Sequence, residues 1–368
     1  MKRKVFVTSV WIGFTVFAVV ISGEILLRFR RHELTNFDNY FVKYHQSNTA
    51  SCLFTFDENL GWVSEPNVKE RWNDYRTRVS TLDHGIRANS PTNPVKEGLT
   101  PFLVVGDSFA FGDQVSNEET WASALESKIG ERVINGAVCA YGMDQTFLRA
   151  KQLVEIYKPT TLLFGYTGYD ISRTVQKNYP GYFSDDKKPY FEKENGEFVL
   201  KGVPIAKSPG VHELELPLVH KVVGRSTFLS FLFSKMAPDY WWSVKLADRL
   251  PSSTEENDAD ISCHIMKLLS DLSRSKNIRT VVVSQPFFEL EAGNIDALEK
   301  VNRCARENSL EVLDLTPSLL ELKSKDLLVY DTFYFSYRNF GEKVGHGNMT
   351  AAGNEFVAEQ IRQYLTKK

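Results

Sequence analysis

A short run at residues 101–112 joins an apolar segment to a serine, a pairing that can support nucleophilic chemistry. Residues 101–105 (PFLVV) have the length and character of a buried strand, and Gly106-Asp107-Ser108 follows directly. A rigid strand can present such a serine at its carboxyl end, and backbone N–H groups of the next helix can hold a developing oxyanion. The same tripeptide also fits a polar turn that caps a helix, so this run alone leaves both interpretations open.

The elements that must position this serine follow from a regular alternation that begins at residue 101. The pattern predicts strands at about 102–105, 132–135, 160–165, 280–284 and 311–315, separated by helices at about 120–129, 143–157, 260–275 and 294–307, with a last helix at 351–365. This alternation predicts a flavodoxin-like parallel sheet with helices on both faces. Functional residues gather beyond the carboxyl ends of such strands, where Ser108, Ala140, Tyr169 and Ser284 are expected.

Composition divides the chain into three parts. We expect a membrane anchor at 1–27, a linker and irregular lead-in at 28–100, and an α/β domain at 101–368 with an insertion at 172–258. The insertion carries a hairpin pattern with Asn195-Gly196 at its turn, and a polar linker at 251–258. Its aromatic stretch at 228–242 fits either a core or membrane-facing surface, or a ligand platform.

The N-terminus resembles a membrane segment. Lys2-Arg3-Lys4 precedes an uncharged apolar run from Val5 to Gly23, whose helical length approaches the thickness of a bilayer's hydrocarbon core. A cleaved signal peptide and a retained anchor are the alternatives; the length of the run and the lack of an A-x-A-like site favour the anchor. Basic residues on both sides nearly balance the positive-inside count. We expect a single-pass helix with the main domain outside the cytoplasm.

Charge and cysteine content narrow the function classes. The chain has 368 residues and a formal net charge of −2, so no basic field argues for nucleic acid. Cys52, Cys139, Cys263 and Cys304 show no zinc-binding spacing. Cys139 and Cys304 lie in apolar sequence typical of small core residues, and the pairing and the redox compartment stay open. We expect neither a metal nor an organic cofactor.

Four blocks on this pattern resemble the SGNH/GDSL hydrolase superfamily, in particular its membrane-anchored bacterial branch. The likeness spans roughly residues 55–366, and the blocks are 105–112 (VGDSFAFG), 135–142 (NGAVCAYG), 166–170 (YTGYD) and 347–354 (GNMTAAGN). The resemblance implies attack of a serine on an ester carbonyl, with a histidine that takes the serine proton and an acid that orients the histidine. The serine N–H, a glycine N–H and an asparagine side chain then hold the oxyanion.

The first three blocks keep this set in part. Ser108 stands at the nucleophile position. Ala140 replaces the oxyanion glycine, a change that keeps the backbone N–H. Tyr169 replaces the oxyanion asparagine, either as a hydrogen-bond donor from a different place or as an aromatic ring that fills the vacated space.

The last block departs further, because Asn348 stands where the resemblance expects the catalytic histidine. Asparagine cannot act as a general base near neutral pH. His346, flanked by two glycines, is either a displaced base or a solvent-exposed loop residue. Lys343 replaces the usual acid, and Glu342 and Asp331 are poor substitutes.

Two functions therefore compete. The first is a serine ester hydrolase or O-acyl transferase that acts on an acylated small molecule or glycan, such as an acetylated cell-envelope glycan, through Ser108 and His346. The second is a degenerate domain that binds a glycan or a partner protein without turnover. A third interpretation is a purely structural membrane protein. The distance from His346 Nε2 to Ser108 Oγ distinguishes the first two: about 3 Å favours the enzyme, and a much longer distance favours the degenerate domain.

Overall fold

The computed structural model describes residues 2–30, 52–72, 77–89, 101–178, 187–206, 217–237, 255–287, 295–339 and 342–367. The chain divides into two compact units. One unit contains residues 1–48, 180–185 and 208–249; the other contains residues 49–179, 186–207 and 250–368. Part of the insertion thus groups with the N-terminal segment.

The larger unit is built on a five-stranded sheet. Its strands are β5 (Phe102–Val105), β6 (Val133–Asn135), β7 (Thr161–Thr167), β10 (Arg279–Gln285) and β11 (Glu311–Asp314). Their order across the sheet is β11-β10-β7-β5-β6, and every neighbouring pair is parallel. The predicted flavodoxin-like α/β fold is confirmed, and the carboxyl ends of β5 and β7 lie side by side.

Helices cover both faces of this sheet. Around the strands the chain forms α2 (Ser108–Phe111), α3 (Trp121–Ile129), α4 (Met143–Tyr157), α5 (Gly168–Thr174), α8 (Glu255–Lys276), α9 (Asp296–Glu307), α10 (Thr316–Lys325), α11 (Leu327–Thr332) and α12 (Ala351–Thr366). Alternate residues of each strand point to opposite faces. Leu103 and Val105 pack in a core with α4, α8 and α9, whereas Val104 packs in a second core with α2, α3 and α12.

Three smaller antiparallel pairs surround the sheet. The lead-in forms β1 (Phe54–Asp57) with β2 (Gly61–Ser64), and β3 (Arg71–Trp72) with β4 (Arg78–Val79). The insertion forms the predicted hairpin, β8 (Tyr190–Glu194) with β9 (Glu197–Lys201), and Asn195-Gly196 lies at its turn. One prediction needs correction. Residues 255–258 are the first turn of α8 rather than a linker, and 251–254 lie outside the described residues.

A second correction concerns the last block. Residues 334–349 form a hairpin, β12 (Tyr334–Asn339) with β13 (Glu342–Met349), where the sequence suggested a loop. Its register shifts between Tyr334 and Ser336 and again between Tyr337 and Arg338. The glycines of this stretch weaken the strand pattern in the sequence, and the hairpin delivers residue 348 to the start of α12.

The smaller unit contains α1 (Lys2–Arg30), α6 (Leu218–Val223) and α7 (Thr227–Met236). Within α1, residues Trp11–Phe29 form a 19-residue stretch with a mean hydropathy of 1.9, long and apolar enough to cross a membrane. A signal sequence near the N-terminus can meet the same criterion of length and hydropathy. The aromatic stretch at 228–242 is helical up to Met236, two residues before Pro238, and its part from residue 238 onward lies outside the described residues.

All four cysteines form disulfides, and this gives the pairing that the sequence left open. Cys263 of α8 pairs with Cys304 of α9, so this bond joins two neighbouring helices. Cys52 of the lead-in pairs with Cys139 of the second sequence block. The pairs are 41 and 87 residues apart in sequence, and only the tertiary fold brings them together.

Candidate active site

The turn after β5 presents Ser108 at the first position of α2. Asp107 caps this short helix, and its carboxylate accepts a hydrogen bond from the Phe109 N–H at 2.9 Å. Gly106 must be a glycine, because a Cβ there would lie 2.7 Å from the Ala110 Cβ and 2.9 Å from the Gly165 oxygen. The Ser108 side chain is partly exposed, while its neighbours in α2 are buried.

The Ser108 hydroxyl donates a hydrogen bond to the side-chain oxygen of Asn348 at 3.1 Å. The Asn348 amide nitrogen in turn donates to the Asp113 carboxylate at 3.0 Å. These contacts form a chain of hydroxyl, amide and carboxylate, in the order in which a catalytic triad places hydroxyl, imidazole and carboxylate. A carboxamide oxygen accepts the hydrogen bond but does not take up the proton at neutral pH, so the described arrangement holds the serine in its neutral form.

Asp113 is the acid of this chain of contacts, and the sequence analysis missed it. Its carboxylate is buried and also accepts from the Gln114 N–H at 3.0 Å. Burial raises the pKa of Asp113 to about 7, partly offset by the Gln114 hydrogen bond and the nearby Arg87 guanidinium. The available signal was the spacing GDSFAFGD, in which the left-handed Gly112 (φ 82°) returns the chain toward Ser108 and the Asp113 N–H bonds to the Ser108 carbonyl.

A buried arginine supports the turn that carries Asp113. Arg87 donates to the carbonyls of Gly112 at 3.2 Å and Val115 at 2.8 Å, and to the Asn117 side chain at 3.0 Å. Burial lowers the pKa of Arg87 to about 10, which still leaves it charged at neutral pH. Arg87 belongs to the lead-in, so this segment stabilises the site directly.

The second block forms a wall of the site near Asp113. The Asn135 amide donates to the Ala110 carbonyl at 3.0 Å and thereby ties this block to α2. Ala140 is buried and adopts a left-handed conformation (φ 64°), which costs a non-glycine residue about 1–2 kcal/mol. This conformation is the one that glycine adopts readily, in agreement with the glycine that the resemblance expects there.

A disulfide and an indole fix the loop that contains Ala140. Both sulfur atoms of Cys52–Cys139 lie within 4.8 Å of a carboxylate oxygen of Asp113 and of each other. The Trp62 indole donates to the Cys139 carbonyl at 3.1 Å. Because the sulfurs are joined in a disulfide, they are not thiolate metal ligands, and the group serves to pack the two blocks together.

Tyr169, in the third block, is not buried in the site as an oxyanion donor would be. Tyr169 lies on α5, 45% exposed, and its ring covers the Arg173 guanidinium at 4.3 Å. The ring thus packs on Arg173 while nearly half of the residue is exposed, and whether it takes the space of the expected asparagine stays a prediction. Its role as a hydrogen-bond donor stays a prediction.

A buried cluster of charged side chains lies beneath the Tyr169 ring. Arg173 donates to Asp170 at 2.8 Å, to Asp107 at 3.5 Å and to the Tyr141 carbonyl at 3.4 Å. Burial and the neighbouring Asp107 carboxylate raise the pKa of Asp170 well above its usual range, and burial likewise raises that of Asp107. Two carboxyls and one guanidinium thus share the base of the nucleophile turn.

The position of Asn348 depends on how β13 enters α12. Thr350 caps α12 by accepting from the Gly353 N–H at 3.4 Å. The Asn354 side chain accepts from the Trp121 N–H at 3.0 Å and donates to the Met349 carbonyl at 3.2 Å. The fourth block is therefore joined to α3, which follows the first block, and this contact sets Asn348 opposite Ser108.

The predicted site residues thus divide into three groups. Ser108 and Asn348 are in contact. Ala140 lies in the turn of the second block, and Tyr169 lies on helix α5. His346 lies on β13, where its backbone pairs with Ser336, but its side chain lies outside the described residues, as does that of Glu342. Two histidines of the larger unit have aromatic neighbours elsewhere: His84 contacts Tyr157, and His264 contacts Phe198.

Comparison with known proteins gives structural likenesses only. No protein-family model and no curated protein matches the chain. Among solved structures, the chain is similar to a lipolytic protein of the G-D-S-L family from Desulfitobacterium hafniense DCB-2, with 14% identity, 72% of this chain and 98% of that chain covered, and a TM-score of 0.38.

Two further solved structures are similar to the chain. A lipase/acylhydrolase from Enterococcus faecalis has 11% identity, with 73% of this chain and 95% of that chain covered, and a TM-score of 0.40. The acetylxylan esterase Axe2 from Geobacillus stearothermophilus, solved as a catalytic mutant, has 11% identity, with 72% and 93% covered, and a TM-score of 0.37. The roles of Ser108, Asn348 and Asp113 rest on the contacts described above. The sheet order, the two helical layers and the serine turn after β5 together form a flavodoxin-like parallel α/β fold, which is the fold that the resemblance to the SGNH/GDSL hydrolases implies.

Proposed function

We propose that this chain is an SGNH/GDSL-type domain that binds an acylated glycan or small molecule at Ser108 and has lost rapid ester turnover. One observation carries the proposal: the Ser108 hydroxyl donates its hydrogen bond to the carboxamide oxygen of Asn348, at an oxygen–oxygen distance of 3.1 Å. General-base assistance contributes about 10²- to 10⁴-fold to such reactions, and an amide does not supply it. The serine turn and the buried acid remain, so the shape of an ester site is kept without its proton acceptor.

The test compares binding with turnover in the full chain. We expect an O-acetylated oligosaccharide to bind more tightly than its deacetylated counterpart in titration calorimetry, while hydrolysis of p-nitrophenyl acetate stays at the level of the Ser108→Ala variant. Wild-type turnover well above that of Ser108→Ala would refute the loss of catalysis. Equal affinity for the two oligosaccharides would refute recognition of the acyl group.

The second candidate is a serine ester hydrolase or O-acyl transferase in which His346 is the base. It is favoured by the retained acid, because Asp113 is of use to a serine nucleophile only through an intervening proton carrier. In this case an alkyl fluorophosphonate labels Ser108, and both Ser108→Ala and His346→Ala abolish turnover. Turnover that survives His346→Ala rejects this candidate, because His346 is its only proton acceptor.

We also infer that the larger unit lies in an oxidising compartment outside the cytoplasm and that α1 is its single-pass anchor. Two disulfides in one domain are typical of extracytoplasmic proteins and rare in the cytosol. Thiol alkylation in intact cells, with and without prior reduction, tests this inference. Free thiols in unreduced protein from growing cells would contradict it.

A further inference from the structure

We propose that the helix pair α6–α7 lies on the surface of the same membrane that α1 crosses, with its apolar face in the lipid interface. The proposal rests on the anchor proposed above and concerns the smaller unit only. It assigns a role to the insertion, which the ester-type site does not use.

The helix pair is fixed to the C-terminal part of α1 by a specific polar contact. Glu24 of α1 accepts hydrogen bonds from the backbone N–H groups of Thr227 at 3.0 Å and Phe228 at 2.9 Å, and from the Ser226 hydroxyl at 2.7 Å. A side chain from α1 thus caps the N-terminus of α7. The capping hydrogen bonds also satisfy a carboxylate that is costly to leave unpaired near hydrocarbon.

Two neighbouring residues strengthen this attachment. Arg28 pairs with Glu24 and donates to the Arg225 carbonyl at 3.0 Å, so one ion pair of α1 holds the turn between α6 and α7. Gly23 packs directly against the Phe228 ring, and a Cβ at this position would collide with it. The glycine is therefore required for the close approach of α7 to α1.

The depth of this contact follows from helix length. The stretch Trp11–Phe29 includes the charged residues Glu24 and Arg28, so we take the uncharged run from Val5 to Gly23 as the part of α1 within hydrocarbon. This run has 19 residues, and at 1.5 Å per residue it spans close to the ~30 Å hydrocarbon core. Glu24 then falls at the boundary between hydrocarbon and headgroups. Because α7 begins at Glu24, the helix pair begins at the same level.

The outer surface of the helix pair has the composition of an interfacial segment. Large apolar side chains are exposed along it: Leu218, Val222, Phe231, Leu232 and Met236 are between 37% and 77% exposed. Residues 217–237 contain Lys221, Arg225 and Lys235 but no acidic residue. Apolar side chains combined with basic ones suit the interface of a bilayer that contains anionic lipid.

The apolar surface of the helix pair also continues that of α1. Side chains of α1 from Trp11 to Val19 are exposed, and only its last turns are covered within this unit. A lipid bilayer is therefore already the expected neighbour of the adjoining surface. We choose lipid as the occupant over a second copy or a partner protein for this reason and for the absence of acidic residues.

The experiment uses the full chain in lipid nanodiscs that contain anionic lipid. Leu232→Cys and Met236→Cys each introduce one free thiol, because the four native cysteines are paired. An environment-sensitive fluorophore on each thiol is then exposed to doxyl-labelled lipids. Phe17→Cys on α1 serves as the positive control, and Lys151→Cys, an exposed polar position of α4, as the negative control.

We expect lipid quenching at 232 and 236 that is strong relative to position 151 and shallower in depth than at position 17. Quenching at 17 without quenching at 232 and 236 would overturn the proposal but leave the anchor intact. No quenching at 17 would overturn the anchor and, with it, this inference. Energy transfer between labels at 236 on separate chains, without lipid quenching, would assign the surface to a second copy and also overturn it. Labels at Phe231→Cys repeat the test should either variant fail to fold.

Discussion

Asn348 bridges Ser108 and Asp113. Its side-chain oxygen accepts a hydrogen bond from the Ser108 hydroxyl at 3.1 Å, and its amide nitrogen donates one to the Asp113 carboxylate at 3.0 Å. The two bonds have the polarity of a triad with one component exchanged. Imidazole accepts a proton at one nitrogen while it donates from the other, whereas a carboxamide does both without changing its charge. The contacts of Asn348 thus keep the order of hydroxyl, acceptor and acid, with an amide in the middle that does not take up a proton.

Replacing Asn348 by histidine should restore ester hydrolysis. In Asn348→His an imidazole is placed between the serine and a buried acid that already lies at hydrogen-bond distance, so we expect p-nitrophenyl acetate turnover to rise by about 10²- to 10⁴-fold. Asn348→Gln is the matched control, since it retains an amide. An increase that persists when Ser108→Ala is added would show that the new activity does not come from this serine.

Asp113 should make the folded protein less stable as pH rises. Burial raises its pKa to about 7, so the folded state favours the protonated carboxyl. The stability contributed by this group is fully present below the unfolded-state pKa of about 4, and it is lost as pH rises through about 7. The shift corresponds to at most about 4 kcal/mol.

The measurement is the melting temperature of wild type and Asp113→Asn between pH 4.5 and pH 8. The melting temperature of Asp113→Asn, relative to that of wild type, should rise with pH, because the amide does not ionise. Subtracting the two curves cancels the other buried carboxyls. Parallel curves would contradict the raised pKa.

Ala140→Gly should stabilise the protein. The left-handed backbone at this position (φ 64°) costs alanine about 1–2 kcal/mol, and glycine recovers this cost less its larger unfolded-state entropy. We expect a net gain of about 0.5–1 kcal/mol in the free energy of unfolding. Ala137→Gly, in the same block, is the control and should destabilise; a loss at both positions would argue against a left-handed residue 140.

Arg173 should contribute more to stability than the exposed ring above it. Arg173→Ala leaves the carboxyls of Asp107 and Asp170 buried without their cation, which typically costs about 3–5 kcal/mol. Tyr169→Leu removes the cation–π contact with Arg173, for which about 0.5–1 kcal/mol is expected. Urea unfolding of the two variants measures the difference, and comparable losses would show that the ring, not the ion cluster, holds this turn.

The two disulfides should contribute similarly to stability but differ in their effect on the site. Chain-entropy arguments give each bond about 4 kcal/mol. The double variant Cys52→Ser/Cys139→Ser should also weaken binding of the acetylated ligand, because Cys139 precedes Ala140 and lies beside Asp113. Cys263→Ser/Cys304→Ser, which opens a bond between α8 and α9, is the matched control. Equal effects of the two double variants on ligand affinity would reject a special role for the Cys52–Cys139 bond.

The local pattern of the chain determined most of the fold. Apolar strands and amphipathic helices alternate with spacings that fix a doubly wound parallel sheet, and the short glycine turn after β5 places Ser108 at its edge. These features depend on neighbours in sequence, so they are legible without coordinates. Even the Asn195-Gly196 hairpin turn follows from local conformational preference.

Only the tertiary structure decided the chemistry of the site. Asn348 is 240 residues from Ser108, and its contact depends on the β12–β13 hairpin and on Asn354 joining α12 to the chain at Trp121. Asp113 is close in sequence, but its function as the acid appears only once Asn348 lies between it and the serine. The disulfide pairing and the Glu24 cap of α7 are likewise non-local. Long-range contacts are set by how whole elements pack, and packing is a property that no single stretch of sequence carries.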